Sequence, residues 1–226
     1  MEIARTFSGD VPVASRASGR ITRALLACGV AGGPFFYVLA IGQILTRPGF
    51  DIRRHAISLL SLGDLGWIQN INFVVTGALS IACAIGFRRA LGGSRGGTWG
   101  PILIGTFGTG TLLAGVFHAD PGLGFPPGAA AGMPTTVSWH AALHEVSFMV
   151  AMVAMIAASF VFSRRLASLG RRGWTVYCAA SGIVCPLLVV AGMSTPNWVG
   201  VLIACAAGVM FGFVTVLAAR LLREVQ

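Results

Sequence analysis

The sequence contains no lysine and few acidic residues. Its 16 basic side chains are all arginine, against 7 Asp and Glu, and charged residues make up only 10% of the chain. A soluble domain usually has about 25% charged residues. Apolar residues fill 55% of the 226 positions, and the mean hydropathy is +0.81. This composition excludes an ordinary soluble domain and predicts a chain that lies in a lipid bilayer.

Two further features that the sequence lacks narrow the range of possible functions. No long basic stretch accompanies the net charge of +9, because the arginines stand in short clusters between apolar runs. That distribution indicates contact with acidic lipid headgroups and excludes a nucleic-acid groove binder. The 5 cysteines form no CxxC pair and all lie in apolar runs, so neither a disulfide framework nor a zinc ribbon is expected.

Six apolar runs are long enough to cross a membrane as helices. A transmembrane helix needs about 20 mostly apolar residues. The runs cover residues 24–45, 65–87, 99–117, 139–162, 174–193 and 198–219. The predicted fold is therefore all-α, a polytopic bundle of six transmembrane helices. We divide the chain into a flexible cytoplasmic tail (1–23), the transmembrane domain (24–220) and a cytoplasmic C-terminus (221–226).

The arginines also predict which way the bundle crosses the membrane. Thirteen of the 16 fall in the two tails and in the second and fourth loops, and only Arg47, Arg53 and Arg54 fall on the opposite face. Basic residues concentrate on the cytoplasmic side of membrane proteins. Both termini are therefore expected in the cytoplasm, and the first, third and fifth loops outside.

All 4 histidines map to the predicted outer face. His55 lies in the first outer loop, His118 ends the third helix, and His140 and His144 stand one turn apart at the start of the fourth. Two imidazoles at this spacing can bind one metal ion, and a third histidine would complete a zinc site. Asp120 adds a carboxylate nearby. The alternative is that these histidines are solvated, or bonded to loop carbonyls at the interface.

The outer loops add structure around these histidines. Residues 51–62 show an amphipathic pattern in which His55, Ser58 and Ser61 or Leu62 recur at helical spacing, opposite Ile52, Ala56, Leu59 and Leu60. We expect a short interfacial helix here, which could bring His55 beside the fourth helix. The proline-rich loop 120–138 is expected either to cover the polar site as a lid or to be a plain connector.

Four segments carry a family resemblance. They are RPGFDIRRHAISLLSLGDLGWIQ from Arg47, FHADP from Phe117, FPPG from Phe125 and SWHAALH from Ser138. In order and spacing they resemble the signature segments of the prokaryotic membrane family catalogued as domain of unknown function 998. The resemblance implies a six-helix protein of the prokaryotic plasma membrane, with no established activity.

A fainter similarity concerns the chemistry of the site alone. Transmembrane hydrolases related to alkaline ceramidases and adiponectin receptors hold zinc with serine, histidine and aspartate side chains, and the same types occur here in Ser58, Ser61, His55, Asp120, His140 and His144. This chain has six predicted spans where those enzymes have seven, and its serines follow the histidine. The similarity is therefore an analogy of site chemistry.

Three functional hypotheses follow from these residues. The first is a metal-dependent hydrolase acting on a lipid or amphiphile at the outer leaflet. Its zinc ion would be bound by His55, His140 and His144, and His118 would be either an alternative fourth ligand or a residue that contacts the ligands. Asp120 would then act as base or orient the zinc-bound water, and Ser58 would donate to the developing oxyanion. The second is a non-enzymatic protein that binds lipids or small molecules, or a subunit of a complex. The third is a redox protein with haem between His118 and His144.

Overall fold

The computed structural model describes the backbone of residues 13–94 and 96–225, with side chains from residue 18 onwards. Over these residues it is all-helical, with no strand. The long helices are α1 (Val13–Thr46), α2 (Gly66–Leu91), α3 (Trp99–Val116), α4 (Trp139–Ser168), α5 (Arg172–Ser194) and α6 (Val199–Glu224). All 6 are long and apolar enough to cross a membrane. The prediction of a six-helix multi-pass membrane protein is confirmed.

Several helices continue past the predicted spans. α2, α4 and α6 end at Leu91, Ser168 and Glu224, and so include arginines that follow the apolar runs. Hydropathy marks the apolar stretch, whereas arginine propagates a helix well beyond it. For the same reason α1 begins at Val13, inside the segment predicted as a flexible tail. Residues 1–12, Arg95 and Gln226, which belong to the predicted tail, arginine clusters and C-terminus, lie outside the described residues.

The six helices form a closed ring. Each packs against the next in the sequence, and α6 returns to pack against α1. Small residues permit this close packing, as is common between membrane helices. A Cβ atom on Gly77 of α2 would lie 2.6 Å from the carbonyl oxygen of Gly108 of α3, so the two backbones are in direct contact there.

The connections alternate between the two ends of the ring. At one end, which we call the terminal end, Arg23 donates to the carbonyl of Val225 (2.5 Å), and Arg165 donates to Ser94 in the α2–α3 loop (2.7 Å). The other three connections meet at the opposite end, where the backbone N–H of Gly200 donates to the carbonyl of Arg53 (3.2 Å). We call this the histidine end. Which end faces the cytoplasm stays a prediction.

The first loop of the histidine end contains a 3-10 helix, Ile57–Ser61, shorter than the predicted amphipathic segment. The predicted division into a polar and an apolar face is wrong. His55 and Ser61 are buried, while Leu59 is only partly covered. Backbone groups nearby satisfy the polar atoms; the Ser61 hydroxyl, for example, donates to the carbonyl of Ser58 (2.6 Å). The position of this short helix relative to the membrane interface stays a prediction.

Candidate functional site

His55 joins two loops of the histidine end. Its Nδ1 accepts the backbone N–H of Asp51 (2.9 Å), so its Nε2 carries the proton and donates to the carbonyl of Leu123 in the α3–α4 loop (3.1 Å). The ring packs between Phe50 and Phe125, with centroid distances of 5.3 and 5.5 Å. Both nitrogens are engaged by backbone groups. The side chain is thus a neutral clasp between loops, with no lone pair free for a metal.

His144 is buried and holds the end of α3. Its Nδ1 lies 2.8 Å from the carbonyl oxygen of Phe117 and 3.2 Å from that of Ala114, so Nδ1 carries the proton and donates to both. These carbonyls belong to the last turn and C-cap of α3, where helical partners are lacking. The Nε2 atom makes no hydrogen bond to any residue that the structure describes. His144 therefore keeps one free acceptor.

His118 and His140 form a separate pair. Their rings stack with centroids 5.0 Å apart and an interplanar angle of 4°. The His140 ring also lies against Trp139, and its Nδ1 is buried without a hydrogen-bond partner among the described residues. His118 therefore stacks on His140, whereas His144 bonds to the end of α3.

Asp120 fastens the α3–α4 loop to the start of α4. Its Oδ2 accepts the backbone N–H of Ser138 (2.7 Å), and Ser138 caps α4 by accepting the N–H of Ala141 (3.1 Å). Hydrogen bonds from the Ser138 side chain and backbone lower the pKa of Asp120, and the charges of His118 and His140 lower it further. The carboxylate that was expected to act as a base thus accepts a hydrogen bond that fastens the α3–α4 loop to α4.

The predicted zinc ligands are not brought together. Within the described part of the chain, no group of three His, Cys, Asp or Glu side chains could hold a metal ion. His140 and His144 share a helix face, but the first stacks on His118 while the second bonds to α3. His55 is engaged at both nitrogens. The hydrolase-like arrangement of serine, histidine and aspartate is therefore not supported.

A cavity of about 140 Å³ lies inside the ring, and we call it the central cavity. Residues of α1, α2, α3, α4, α6 and the 3-10 helix line it. Five of them are phenylalanines: Phe36, Phe73, Phe107, Phe148 and Phe211. The size matches cavities that accept a benzene-sized apolar ligand. This cavity could not be predicted from the sequence, because its walls come from helices that are distant in the chain.

Few polar side chains line the central cavity. They are Ser58, Thr111, His144 and Glu145. The Thr111 hydroxyl donates to the carbonyl of Phe107 within its own helix (2.9 Å). For Ser58 and Glu145, the described residues provide no side-chain hydrogen bond. Ser58, Glu145 and the Nε2 atom of His144 are therefore available to a ligand.

A second cavity, of about 380 Å³, lies under the loops of the histidine end, and we call it the vestibule. Arg54 and Asp120 line it, together with apolar residues of the α3–α4 loop such as Met133 and Val137. Ala56, Ser58 and Glu145 line both the vestibule and the central cavity. These three residues form the shared wall, which we call the neck, between the central cavity and the vestibule.

Arg47 stabilises the loop beside the vestibule. Its guanidinium donates to the carbonyls of Leu60 (3.1 Å) and Leu62, and it lies over the Phe125 ring, 5.4 Å from the centroid. Burial lowers the pKa of Arg47, and the charge of Asp64 partly offsets that effect. The side chain is 8% exposed, so this cation is part of the fold.

Sequence reasoning also missed a row of buried polar side chains between α1 and α2. Gln43 donates to Gln69 (2.8 Å), and Asn72 donates to the carbonyl of Phe36 (3.0 Å). The signal was present in the second apolar run, where polar residues recur at helical spacing: Gln69, Asn72, Thr76 and Ser80. Such a row holds membrane helices together.

Comparison with known proteins identifies the family. The family model described as "Protein of unknown function (DUF998)" matches residues 30–220, which is most of the chain. The protein therefore belongs to this family, as the four sequence segments indicated. No curated protein and no solved structure matches the sequence.

Proposed function

We propose that this protein binds a lipid or other amphiphile, with the apolar chain in the central cavity and the polar part in the vestibule. The observation that carries the proposal is that Ser58 and Glu145 line both cavities, so that the phenylalanine-lined central cavity adjoins a vestibule that carries the charged side chains of Arg54 and Asp120. Ligand sites are mostly apolar with a few polar groups that fix orientation. The two adjoining cavities have that character.

The lining of the central cavity favours an alkyl chain. Phenylalanine rings from α1, α2, α3, α4 and α6 surround it. Apolar surface gains about 25 cal/mol per Å² when it leaves water, whereas a polar group without a partner loses free energy in such surroundings. A polar ligand would find few partners there, and an alkyl chain needs none.

The arginine distribution suggests where the amphiphile comes from. Because basic residues favour the cytoplasmic side, we place the termini in the cytoplasm of a prokaryotic cell and the histidine end outside its plasma membrane. The vestibule then faces the outer leaflet, and the ligand is a lipid or amphiphile of that leaflet.

Binding accounts for the polar residues better than metal-dependent hydrolysis does. Hydrolysis through zinc requires three protein ligands around one ion. Here His55 and Asp120 hold loops, and His144 offers one nitrogen alone. Recognition of an amphiphile needs only the free groups at the neck.

A photoactivatable alkyl glucoside tests the proposal with the full-length protein in lipid nanodiscs. We expect crosslinks on cavity-lining residues of α3 and α6. Ala207→Phe places a larger side chain in the lining of the central cavity and should reduce these crosslinks at least several-fold. The matched control is Ala191→Phe, at an exposed position of α5. Labelling spread evenly over the lipid-facing surface, and unchanged by Ala207→Phe, would contradict the proposal.

A further inference from the structure

Glu145 is an unusual residue for its position. It and Glu224 are the only acidic residues within the six described helices, and Glu224 is paired with Arg220 (3.1 Å) at the terminal end. Glu145 stands six residues into α4, about 9 Å along the helix axis from the exposed Trp139. An acidic residue inside a membrane-spanning helix is costly and points to function.

The described residues leave Glu145 without an ionic partner. The ion pairs among them are Arg53–Asp51 and Arg220–Glu224. Arg54 lines the vestibule, but it does not come within ion-pair distance of Glu145. Glu145 is exposed and lines both cavities, and no described side chain forms an ion pair with it.

Two other acceptors line the same space. Ser58 and His144 both line the central cavity, and because Nδ1 of His144 donates to the carbonyl of Phe117, the Nε2 atom of its neutral imidazole is a lone-pair acceptor. A primary ammonium group has three N–H donors. One charged and two neutral acceptors among the lining residues favour a ligand that carries such a group.

We propose that the ligand is a primary alkylamine, that is, an amphiphile whose cationic amine directly follows its apolar chain. This inference rests on the proposed function. The chain occupies the central cavity and the ammonium group binds Glu145 at the neck. Any further polar part lies in the vestibule beside Arg54. An anionic group at the neck would be repelled by Glu145, and a neutral polyol would leave the charge uncompensated.

The test compares amphiphiles that share one alkyl chain and differ in headgroup. We measure binding of an alkylamine, an alkyltrimethylammonium, an alkyl glucoside and an alkyl sulfate to the full-length protein in neutral nanodiscs, at pH 7. A charge-assisted hydrogen bond contributes about tenfold or more in affinity. We expect the primary amine to bind roughly tenfold more tightly than the glucoside, and the sulfate to bind most weakly.

Variants assign the preference to Glu145. Glu145→Gln should lower affinity for the alkylamine about tenfold and leave the glucoside within about twofold. Ser58→Ala should weaken the amine by a smaller factor, and the control Glu224→Gln, at the terminal end, should change neither. The wild-type comparison needs no variant, so a misfolded Glu145→Gln protein would not remove the test.

The outcomes separate this inference from the proposed function. Equal affinity for amine and glucoside would overturn the headgroup inference while amphiphile binding stands. Equal affinity for the primary and the quaternary amine would overturn the match to three acceptors, because a quaternary amine has no N–H donor. If none of the four amphiphiles binds, the proposed function itself fails.

Discussion

Replacing His55 distinguishes a loop clasp from a metal ligand. His55→Ala removes the acceptor for the Asp51 N–H and the donor to the Leu123 carbonyl. An unsatisfied buried group costs about 1 to 3 kcal/mol. We therefore expect the free energy of unfolding to fall by about 3 kcal/mol for the two bonds together. Reversible unfolding of the purified protein in mixed micelles measures this loss.

A graded series makes the estimate sharper. His55→Asn keeps an acceptor near the position of Nδ1 but cannot reach Leu123, so it should lose about half as much. His118→Ala is the control, because that half-buried ring makes one weak bond, to the neighbouring Ala119 carbonyl (3.3 Å), and should lose about 0.5 to 1 kcal/mol. Hydrogen exchange should rise in the α3–α4 loop for the His55 variants only.

Zinc binding predicts a different result. A ligand that binds only the folded state raises stability with its concentration, so chelator would destabilise a zinc protein and added zinc would restore it. The clasp predicts the same unfolding curve with and without chelator. Chelator-sensitive stability that disappears in His55→Ala would refute the loop-clasp interpretation.

Three further predictions concern the rest of the fold. The pKa of Asp120 in the folded protein lies below its ordinary value of 3.8, so the carboxylate stabilises the fold above pH 3.8, and this contribution is lost as the pH falls through the folded-state pKa. Asp120→Asn should therefore lower the free energy of unfolding by about 1 kcal/mol at pH 7. In acid, the variant and the wild type should be equally stable. Asn72→Leu removes the buried bond to Phe36 and should lose about 0.6 to 1.7 kcal/mol in micelle unfolding. Asn70→Leu is its control and should lose nothing, because the Asn70 Oδ1 is buried without a partner among the described residues. A reporter after Gln226 should be cytoplasmic and one within 123–132 external; an external C-terminus would contradict the orientation and the outer-leaflet source of the ligand.

The sequence predicted the helices because their cause is local. A run of about 20 apolar residues crosses a bilayer whatever it packs against. Alternation of the loops then placed all four histidines at one end, and the structure agrees. The helix ends were less predictable, since α1 and α4 continue through arginine-containing segments that hydropathy does not register as helical.

The roles of the site residues could not be predicted, because they depend on distant partners. The Nε2 of His55 bonds to Leu123, 68 positions away, and His144 bonds to Phe117, 27 positions away. Residue type and spacing suggested metal ligands, but both ring nitrogens of His55 bond to backbone groups, and His144 offers only its Nε2 atom. The central cavity likewise depends on how six helices close into a ring.

The polar groups of the histidine end divide into two sets. In the first set, the side chains bond to backbone groups of the loops, as in His55, Asp120 and Arg47. Replacing any of these residues should therefore destabilise the fold. Glu145 and Ser58 have no such role within the described chain. A group that does not serve stability, yet stands at membrane depth, should destabilise the unliganded protein.

This division predicts opposite effects of one substitution on stability and on binding. Without ligand, Glu145→Gln should raise the free energy of unfolding by roughly 0.5 to 2 kcal/mol, as is common when a functional residue is replaced. An alkylamine at about 100 times its Kd should raise the stability of the wild type by about 2.7 kcal/mol. At the same concentration, which is about 10 times the Kd of Glu145→Gln, it should raise the stability of the variant by only about 1.4 kcal/mol. If Glu145→Gln instead destabilises the unliganded protein as His55→Ala does, then Glu145 belongs to the first set, and its charge is part of the fold.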